Sequence, residues 1–393
     1  MKLNKIDLFH FRNLSHQTLN LNYNKNYFIG ENAQGKTNLL EAVYFLSHGK
    51  SFRPTEINSF IQFSESDEEL AQSALIQGFF QHRNMGYQVR ASIKNSTKNF
   101  TLNQKKVTST NLKALIPMVL FSPESLDVIK ESAEQRRGLV DELVLSHDPK
   151  QAKIITEFTR ALKTRNVLLK DIMKYGLSED RVLTLESLNQ IYLVLATHLT
   201  KLRLVALKSI WDDFRQSTEF ILGNSMAKLH FEYLISGESA NNWDELKIFG
   251  SMQTRMADLK QKEYGAGHTL VGPQKHDLKF FFNENDTRFY CSQGQQRALI
   301  LALKIAQIVY HQRVHQKYPI LLLDDVLSEL DENKRLNLMK FLGEISAQVL
   351  ITATDLSRHE IRDDKKGEIF LVKSGRIEKL KEETNSKANF NLN

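Results

Sequence analysis

Residues 30–37 read GENAQGKT, which fits the pattern Gly-x-x-x-x-Gly-Lys-Thr. Glycines let a backbone curl until several N–H groups point at one phosphate, and a helix that begins there adds the positive end of its dipole. The apolar run at residues 27–29 predicts a strand before the loop, and a helical spacing predicts a helix after it: Leu39, Leu40, Ala42, Val43 and Leu46. Because a phosphate-binding loop requires the order strand, loop, helix, we favour this interpretation over a chance match in an ordinary turn.

Residues 320–325 read ILLLDD, four apolar residues that run into two carboxylates. A phosphate loop needs an acid to hold its metal, and a buried strand delivers its last side chain to the sheet edge where such a loop lies. We therefore predict that Asp324 and Thr37 ligate Mg²⁺. Asp325 and Lys36 are the predicted catalytic residues, with Asp325 as the general base. The alternative is a buried strand that merely ends in two aspartates.

The two motifs together predict Mg-ATP as the cofactor. The predicted nucleotide-binding residues of the loop are Gly30, Glu31, Asn32, Ala33, Gln34, Gly35, Lys36 and Thr37.

Apolar periodicity predicts strands at both ends of the chain and helices between them. The predicted strand regions are residues 2–9, 17–29, 75–107, 117–122, 319–324 and 348–352, with a hairpin of 278–282 and 288–291 around a turn at 283–286. From about 127 to 220 the pattern predicts two long amphipathic helices joined by a short turn, and a further helix covers about 293–312. If the two ends share one site, they must fold together.

Composition is that of a soluble globular protein, with 41% hydrophobic and 25% charged residues in 393. The single cysteine, Cys291, and the lack of a long apolar run lead us to expect a cytoplasmic protein without a membrane segment. The net charge of +7 is compatible with an anionic partner such as nucleic acid.

Residues 292–297 read SQGQQR just before a predicted helix. This resembles the Ser-x-Gly-Gln signature of ABC-type ATPases, which caps the γ-phosphate bound by a second subunit, although an ordinary N-capped helix explains it too. Residues 326–331 resemble the D-loop of the same superfamily. The resemblance implies that nucleotide also contacts Ser292, Gln293, Gly294, Gln295 and Asp331.

Further motifs resemble the RecF family of bacterial recombination mediators. They are Arg12-Asn13 in LFHFRNL, SFR at 51–53, FSPE at 121–124, RRGLVD at 136–141 and VGPQKHDL at 271–278. The resemblance implies an α/β fold, an ABC/SMC-type ATPase head built from both ends of the chain with an inserted helical-hairpin arm. We expect head segments at 1–125 and 226–393, an arm at 126–225 and disorder in the last dozen residues. Arg12 and Asn13 join the expected nucleotide-binding residues.

The same resemblance implies an ATP-dependent homodimer with weak, DNA-dependent ATPase activity. Its expected partners are DNA, both double-stranded and at single-strand gaps, and the proteins RecR and RecO, with which it helps to load recombinase. One departure is the segment Ile351–Asp355, which has threonines where ABC transporters carry a histidine. The γ-phosphate sensor therefore stays unassigned, with Thr354 as a candidate.

Two other functions fit the motifs. A DNA-processing ATPase with nuclease activity needs extra metal-ligand clusters, and the candidates are Asp324–Asp325 and the aspartate pair at 363–364, which lies in a lysine-rich segment. An ABC transporter ATPase subunit fits poorly, because the helical insert is long and the sensor histidine is missing.

The first arm helix carries a row of basic residues opposite its apolar seam. At about 100° per residue, five cations fall on one face: Lys153, Arg160, Lys163, Lys170 and Lys174. Such a basic stripe can follow a phosphate backbone without reading sequence. A solvated helix face, which must be charged in any case, is the alternative.

Charge reversal separates these alternatives. The double substitution Lys163→Glu and Lys170→Glu should weaken DNA binding and flatten its dependence on salt, because two phosphate contacts and their counterion release are lost. Fluorescence anisotropy over a range of salt concentrations measures both effects. An unchanged affinity and salt slope would rule out the stripe as a DNA contact.

Overall fold

A computed structural model describes residues 1–53, 55–62, 73–223, 228–354 and 367–380. The chain divides into two compact units, the first formed by 1–126 with 311–393 and the second by 127–310. Residues 226–310, which we expected in the head, thus group with the helices of the arm. The three-segment division stays a prediction, and the expected disorder of the last dozen residues lies outside the described part.

The described strands are, in chain order, β1 (Lys2–Phe11), β2 (Leu14–Asn20), β3 (Lys25–Ile29), β4 (Ser73–His82), β5 (Met85–Lys94), β6 (Thr97–Leu102), β7 (Lys105–Lys106), β8 (Met118–Phe121), β9 (Leu229–Ile235), β10 (Glu238–Ser239), β11 (Asp277–Phe282), β12 (Asn285–Asp286), β13 (Ile320–Asp324), β14 (Val349–Ala353), β15 (Glu368–Lys373) and β16 (Arg376–Lys379). The region 17–29, predicted as strand throughout, contains two strands, and β15 and β16 were not predicted.

The described α-helices are α1 (Lys36–His48), α2 (Ser109–Leu115), α3 (Pro123–Leu126), α4 (Ala133–His147), α5 (Ala152–Tyr175), α6 (Glu179–Leu222), α7 (Glu245–Asp258), α8 (Lys260–Ala266), α9 (Thr287–Tyr290), α10 (Gln293–His315) and α11 (Glu332–Glu344). The helical hairpin of the arm is confirmed as α5 and α6. Short 3₁₀ turns cover Ile57–Phe60, Pro149–Gln151, Pro273–Lys275 and Val326–Glu329.

A mainly parallel sheet in the first unit joins the two ends of the chain. Its strand order is β16-β15-β3-β14-β13-β8, with only β16 antiparallel to its neighbour. Strand β3 lies between two strands from the far end of the sequence, so that Phe28 pairs with Thr352 on one side and Phe370 on the other. The expectation that both ends fold together is confirmed.

Helix α1 lies between this sheet and a second one. The second sheet is antiparallel, with the order β2-β1-β4-β5-β6-β7, and α1 contacts strands of both. All residues from Leu39 to His48 are buried, as two-sided packing requires. At roughly 1.5–3 kcal/mol for each large apolar side chain buried, this helix is a major source of the unit's stability.

Gln348, just before β14, ties the first residues of the chain to the parallel sheet. Its side-chain oxygen accepts from the Leu3 amide at 2.7 Å, and its Nε2 donates to the carbonyl oxygens of Leu3 and Asn22 at 2.8 Å each. The side chain is 1% exposed. Its amide oxygen and amide nitrogen are therefore both used, across sequence separations of 345 and 326 residues.

The second unit contains the four-stranded sheet β10-β9-β11-β12 beside its helices. The predicted strand at 288–291 is wrong. Asn283 and Glu284 both have positive φ, 49° and 64°, which makes a tight two-residue turn and returns the chain as the short β12. Asp286 then accepts a hydrogen bond from the Arg288 amide and begins α9.

A buried ion pair connects three helices of this unit. The Arg165 guanidinium on α5 contacts the Glu263 carboxylate on α8 at 2.6 and 3.1 Å, and both side chains are almost fully buried. Nε of Arg165 also donates to Asn189 of α6 at 2.8 Å, and its Nη1 donates to Thr269 at 2.9 Å. Each guanidinium nitrogen thus has a partner, as burial of a charge demands.

Removing one partner tests this pair. Glu263→Ala should lower the free energy of unfolding of the second unit by about 3–5 kcal/mol, because it leaves Arg165 charged and buried. Glu186→Ala, which breaks the exposed pair with Lys260, is the control and should cost under about 1 kcal/mol. Urea unfolding followed by tryptophan fluorescence reports on this unit, since Trp211 and Trp243 both lie in it. Equal costs for the two variants would contradict the assignment.

Candidate nucleotide-binding site

The predicted phosphate loop connects β3 to α1, as the sequence indicated. Gly35 has φ 112°, a conformation that side chains other than glycine rarely adopt. A Cβ atom at Gly30 would lie 2.2 Å from the carbonyl oxygen of Val372, so only glycine lets β15 approach the loop this closely. The backbone conformation therefore requires glycine at position 35, and the close approach of β15 requires it at position 30.

Lys36 is the first residue of α1 and is only 3% exposed. Its ammonium group donates to the carbonyl oxygens of Gly30 at 2.6 Å and Glu31 at 3.0 Å. These contacts hold the positive charge inside the curve of the loop, close to the N-terminal end of α1. A phosphate in that curve would meet the ammonium, backbone N–H groups and the helix dipole at once.

The acid strand β13 brings its last residue, Asp324, to the same edge. The Asp324 carboxylate accepts hydrogen bonds from Thr37 and from Thr352, the latter at 2.8 Å. Burial, with the nearby Asp325 charge, raises the pKa of Asp324 to about 6, although the two threonines and Arg53 oppose the rise. The predicted metal ligands Thr37 and Asp324 are thus brought together.

Asp325 follows in a left-handed conformation with φ 46°. Its amide donates to Thr352 Oγ1 at 2.9 Å, which fixes the turn after β13. Burial raises the pKa of the Asp325 carboxyl, and the charge of Lys36 partly offsets this. A carboxylate with a raised pKa is a better proton acceptor, which suits a general base.

Oxygen ligands of this kind fit Mg²⁺. The cation prefers hydroxyl and carboxylate oxygens, and it usually takes one or two from the protein and the rest from phosphates and water. Thr37 and Asp324 supply such a pair. Among the described residues, no group of three or more His, Cys, Asp or Glu side chains is arranged to hold a metal. The carboxylate pair at 363–364, considered for a nuclease, lies outside the described residues.

Asn13 supports the loop from the side. Its Nδ2 donates to the carbonyl oxygen of Gln34 at 3.2 Å, and its Oδ1 accepts from Asn38 at 2.8 Å. From the other side, the backbone amides of Ser374 and Gly375 donate to the Gln34 side chain and carbonyl oxygen. Three hydrogen bonds from two segments therefore hold the loop at Gln34, and Asn38 in turn holds Asn13.

Arg12, predicted to contact nucleotide, instead pairs with Glu41 of α1. The guanidinium and carboxylate meet in two hydrogen bonds of 2.9 and 3.0 Å, and further bonds reach Ser59 and Thr55. Burial would raise the pKa of Glu41, but hydrogen bonds from Arg12, Ser51 and Arg53 lower it below its ordinary value. Nucleotide contact by Arg12 stays a prediction.

Two important polar groups of the site escaped sequence reasoning. Glu41 is the one acidic residue of α1, and a carboxylate amid Leu39, Leu40, Ala42 and Val43 signals a paired buried charge. Thr352 bridges β13 and β14 beneath the aspartates. No motif marks it, since its role depends on which strands are neighbours.

The signature-like segment lies in the second unit and is exposed from Ser292 to Gln295. Ser292 Oγ accepts from the Gln295 amide at 3.2 Å, while Gln295 Oε1 accepts from the Ser292 amide at 2.9 Å. This reciprocal capping box begins α10 and leaves its N-terminal end facing solvent. Asp331, in the first unit, caps α11 through the Lys334 amide.

The five predicted DNA-binding cations of α5 are all exposed. Only Lys153 has an ion pair on its own helix, with Glu157 at 3.7 Å. Phe158, Leu169 and Ile172 of the predicted seam are buried, and Ile155 and Leu162 are half-buried. The two faces of the helix therefore differ as predicted. DNA binding by the basic face stays a prediction.

Comparison with known proteins assigns the class. The chain matches the RecF/RecN/SMC N-terminal domain over residues 2–377 and belongs to this family. The protein named DNA replication and repair protein RecF is 32% identical in Oceanobacillus iheyensis, over 95% of this chain and 99% of that one. The protein of the same name in Lysinibacillus sphaericus is 31% identical over 96% of this chain and 100% of that one.

Solved structures agree. A structure of the recombination mediator protein RecF with ATP, from the RecFOR pathway, superimposes with a TM-score of 0.83 at 30% identity, covering 96% of this chain and 97% of the other. An Smc head bound to the C-terminal winged-helix domain of ScpA shares the fold at 14% identity and a TM-score of 0.57, covering 99% of this chain and 100% of the other. The expected ATPase-head fold is confirmed. None of the described helices has the length and apolar character to cross a membrane.

The raised pKa of Asp324 predicts a pH-dependent cost to stability. Between about pH 4 and pH 6 the folded protein binds a proton that the unfolded chain has already released, so stability falls as pH rises through this window. Asp324→Asn should therefore raise the free energy of unfolding by up to about 3 kcal/mol at pH 8 and hardly at all at pH 4.

Urea unfolding followed by circular dichroism at both pH values measures this difference. Asp331→Asn is the matched control, because hydrogen bonds from Lys334 lower rather than raise the pKa of Asp331. It should give no gain at pH 8. A gain for Asp324→Asn that is the same at both pH values would contradict the burial of a charged carboxylate.

Proposed function

We propose that this chain is an ATP-dependent, DNA-binding recombination mediator that acts in DNA replication and repair. The observation that carries the proposal is the meeting of the phosphate loop with Asp324 and Asp325, from opposite ends of a chain that matches relatives named for this function over nearly its whole length. The match to RecF structures with ATP supports ATP as the nucleotide.

Residues 30–37 hold the phosphates of ATP, with Lys36 on the β- and γ-phosphates. Thr37 and Asp324 hold Mg²⁺, which when bound neutralises charge on the phosphate oxygens. Asp325 accepts a proton from the attacking water. Three features of the site support these roles: the ammonium held inside the loop, the contact between the two metal ligands, and the raised pKa of Asp325.

A second copy of the chain completes the site. The segment Ser292–Gln295 is exposed and begins a long helix, so its N–H groups and dipole can bind an anion that another molecule carries. Asp331, seven residues after the end of β13, also contacts nucleotide. ATP is then a ligand that favours the dimer, because it contacts both copies only when they are paired. Hydrolysis is slow, depends on DNA and resets the dimer.

The basic stripe of α5 holds DNA through phosphate contacts and without sequence readout. Double-stranded DNA and single-strand gaps are the expected substrates. The relatives' place in the RecFOR pathway supports RecR and RecO as partners. The protein acts in the cytoplasm.

Three substitutions test the arrangement. Lys36→Ala should abolish ATP binding and dimerisation together, because the loop loses its charge on the γ-phosphate. Ser292→Arg should leave ATP binding by the monomer unchanged but block the ATP-dependent dimer, since the exposed segment contacts nucleotide only in the other copy. Asp325→Asn should bind ATP, dimerise and stall before hydrolysis.

Fluorescent ATP titration measures binding, light scattering measures dimerisation and phosphate release measures turnover. Wild-type protein with ADP serves as the control for dimerisation. If Ser292→Arg weakened ATP binding by the monomer as much as Lys36→Ala does, completion of the site by a second copy would be wrong.

A further inference from the structure

A cavity of about 490 Å³ opens in the first unit at the edge of the parallel sheet where β3, β13 and β14 begin. Tyr23 precedes β3, Tyr318 precedes β13 and Gln348 precedes β14. The phosphate loop and Asp324 lie where the same strands end. The cavity therefore lies at the N-terminal ends of these strands, opposite the nucleotide-binding site, and has no part in that site.

Positive charge dominates the cavity. Lys2, His82, Arg83 and Lys317 line it, and no aspartate or glutamate is among its lining residues. No ion pair to these four side chains is found within the described ranges. Burial, followed by the charge of Arg83, lowers the pKa of Lys317, and burial with neighbouring positive charges also lowers the pKa of His82.

This arrangement is unusual for cations that are partly removed from water. Proteins normally offset such charges with carboxylates, because an unpaired half-buried charge opposes folding. Here Lys317 is half-buried, and its nearest charged neighbour, Arg83, carries a like charge. An anion in the cavity would relieve this repulsion.

Aromatic rings lie beside the charges. Tyr23 leaves 50% of its surface exposed, and the Lys2 ammonium lies 4.7 Å from its ring centroid. Tyr318 is half-buried in the same wall. Proteins that bind single-stranded nucleic acids combine partly exposed aromatic rings with phosphate-binding cations, because bases stack on the rings while the backbone follows the charge.

We propose that this cavity binds a nucleotide unit, with its phosphate on Arg83 and Lys317 and its base against Tyr23. A volume of about 490 Å³ lies in the usual range of small-molecule sites. Two sources share this chemistry, a segment of single-stranded DNA and a free mononucleotide. An acidic peptide would use the cations but would leave the tyrosine face without a stacking partner.

Photocrosslinking locates the contact. The full-length protein is irradiated with a 5′-phosphorylated thymidine tetranucleotide that carries one 5-iododeoxyuridine, and crosslinked residues are identified by mass spectrometry. Crosslinks at Tyr23 or Tyr318 support the proposal, and their absence at both would overturn it. Because the position of the crosslink is read directly, DNA bound elsewhere on the chain does not interfere.

Charge variants test the role of the cations. Arg83→Glu with Lys317→Gln should lower crosslinking at this cavity about tenfold, as expected for two lost phosphate contacts. Lys106→Glu is the matched control, because this lysine is exposed on β7 and does not line the cavity. Its crosslinking should match the wild type. Arg83→Glu alone, at an exposed position, serves if the double variant does not fold, and an unchanged yield in either variant overturns the proposal.

Competition distinguishes the ligands. If thymidine monophosphate competes as well as unlabelled tetranucleotide at equal nucleotide concentration, the ligand is a free mononucleotide. If only the tetranucleotide competes, it is single-stranded DNA. Displacement by a polyglutamate peptide but by neither nucleotide probe would show a site for acidic protein segments and overturn the proposal.

Discussion

The parallel pairing of β3 with β14 and β15 is the constraint on which the head depends. Strand β3 delivers the phosphate loop, while β13 delivers the two aspartates, and β14 separates them by one position in the sheet. Thr352 on that middle strand contacts both aspartates through one hydroxyl. The two halves of the site are thus spaced by a shared neighbour and joined directly by the hydrogen bond from Thr37 to Asp324.

Burial of charge is the recurring cost of this architecture. Glu41, Lys36 and Asp324 are all nearly inaccessible to solvent, and each has a different compensation. Glu41 forms ion pairs with Arg12 and Arg53, and the Lys36 ammonium donates hydrogen bonds to loop carbonyl oxygens. Asp324 accepts hydrogen bonds from two neutral hydroxyl groups, and burial raises its pKa despite the charge of Arg53. Asp324, whose buried carboxyl keeps this raised pKa, is also the residue expected to gain a metal ion, as a preorganised site requires.

Sequence reasoning was strongest where chemistry is local. The phosphate loop, the acid strand and the arm helices could be predicted, because glycine spacing and apolar periodicity act over a few residues. The partner of Arg12 and the role of Thr352 could not, since both depend on contacts between distant segments. The strand predicted at 288–291 failed because turn residues Asn283 and Glu284 adopt positive φ and end the pairing early. The basic cavity could not be predicted either, because its lining residues come from five separate segments of the chain.

The position of β3 also dictates when the head can form during synthesis. Its last neighbours, β14 and β15, begin at Val349 and Glu368, more than 300 residues after β3 ends. At about 5–20 residues per second, the ribosome needs roughly 15–60 s to supply them. Throughout that time the apolar edges of β3, including Tyr27 and Phe28, have no strand to pair with. The nascent chain therefore exposes unpaired, apolar strand edges that can aggregate until its final tenth is translated.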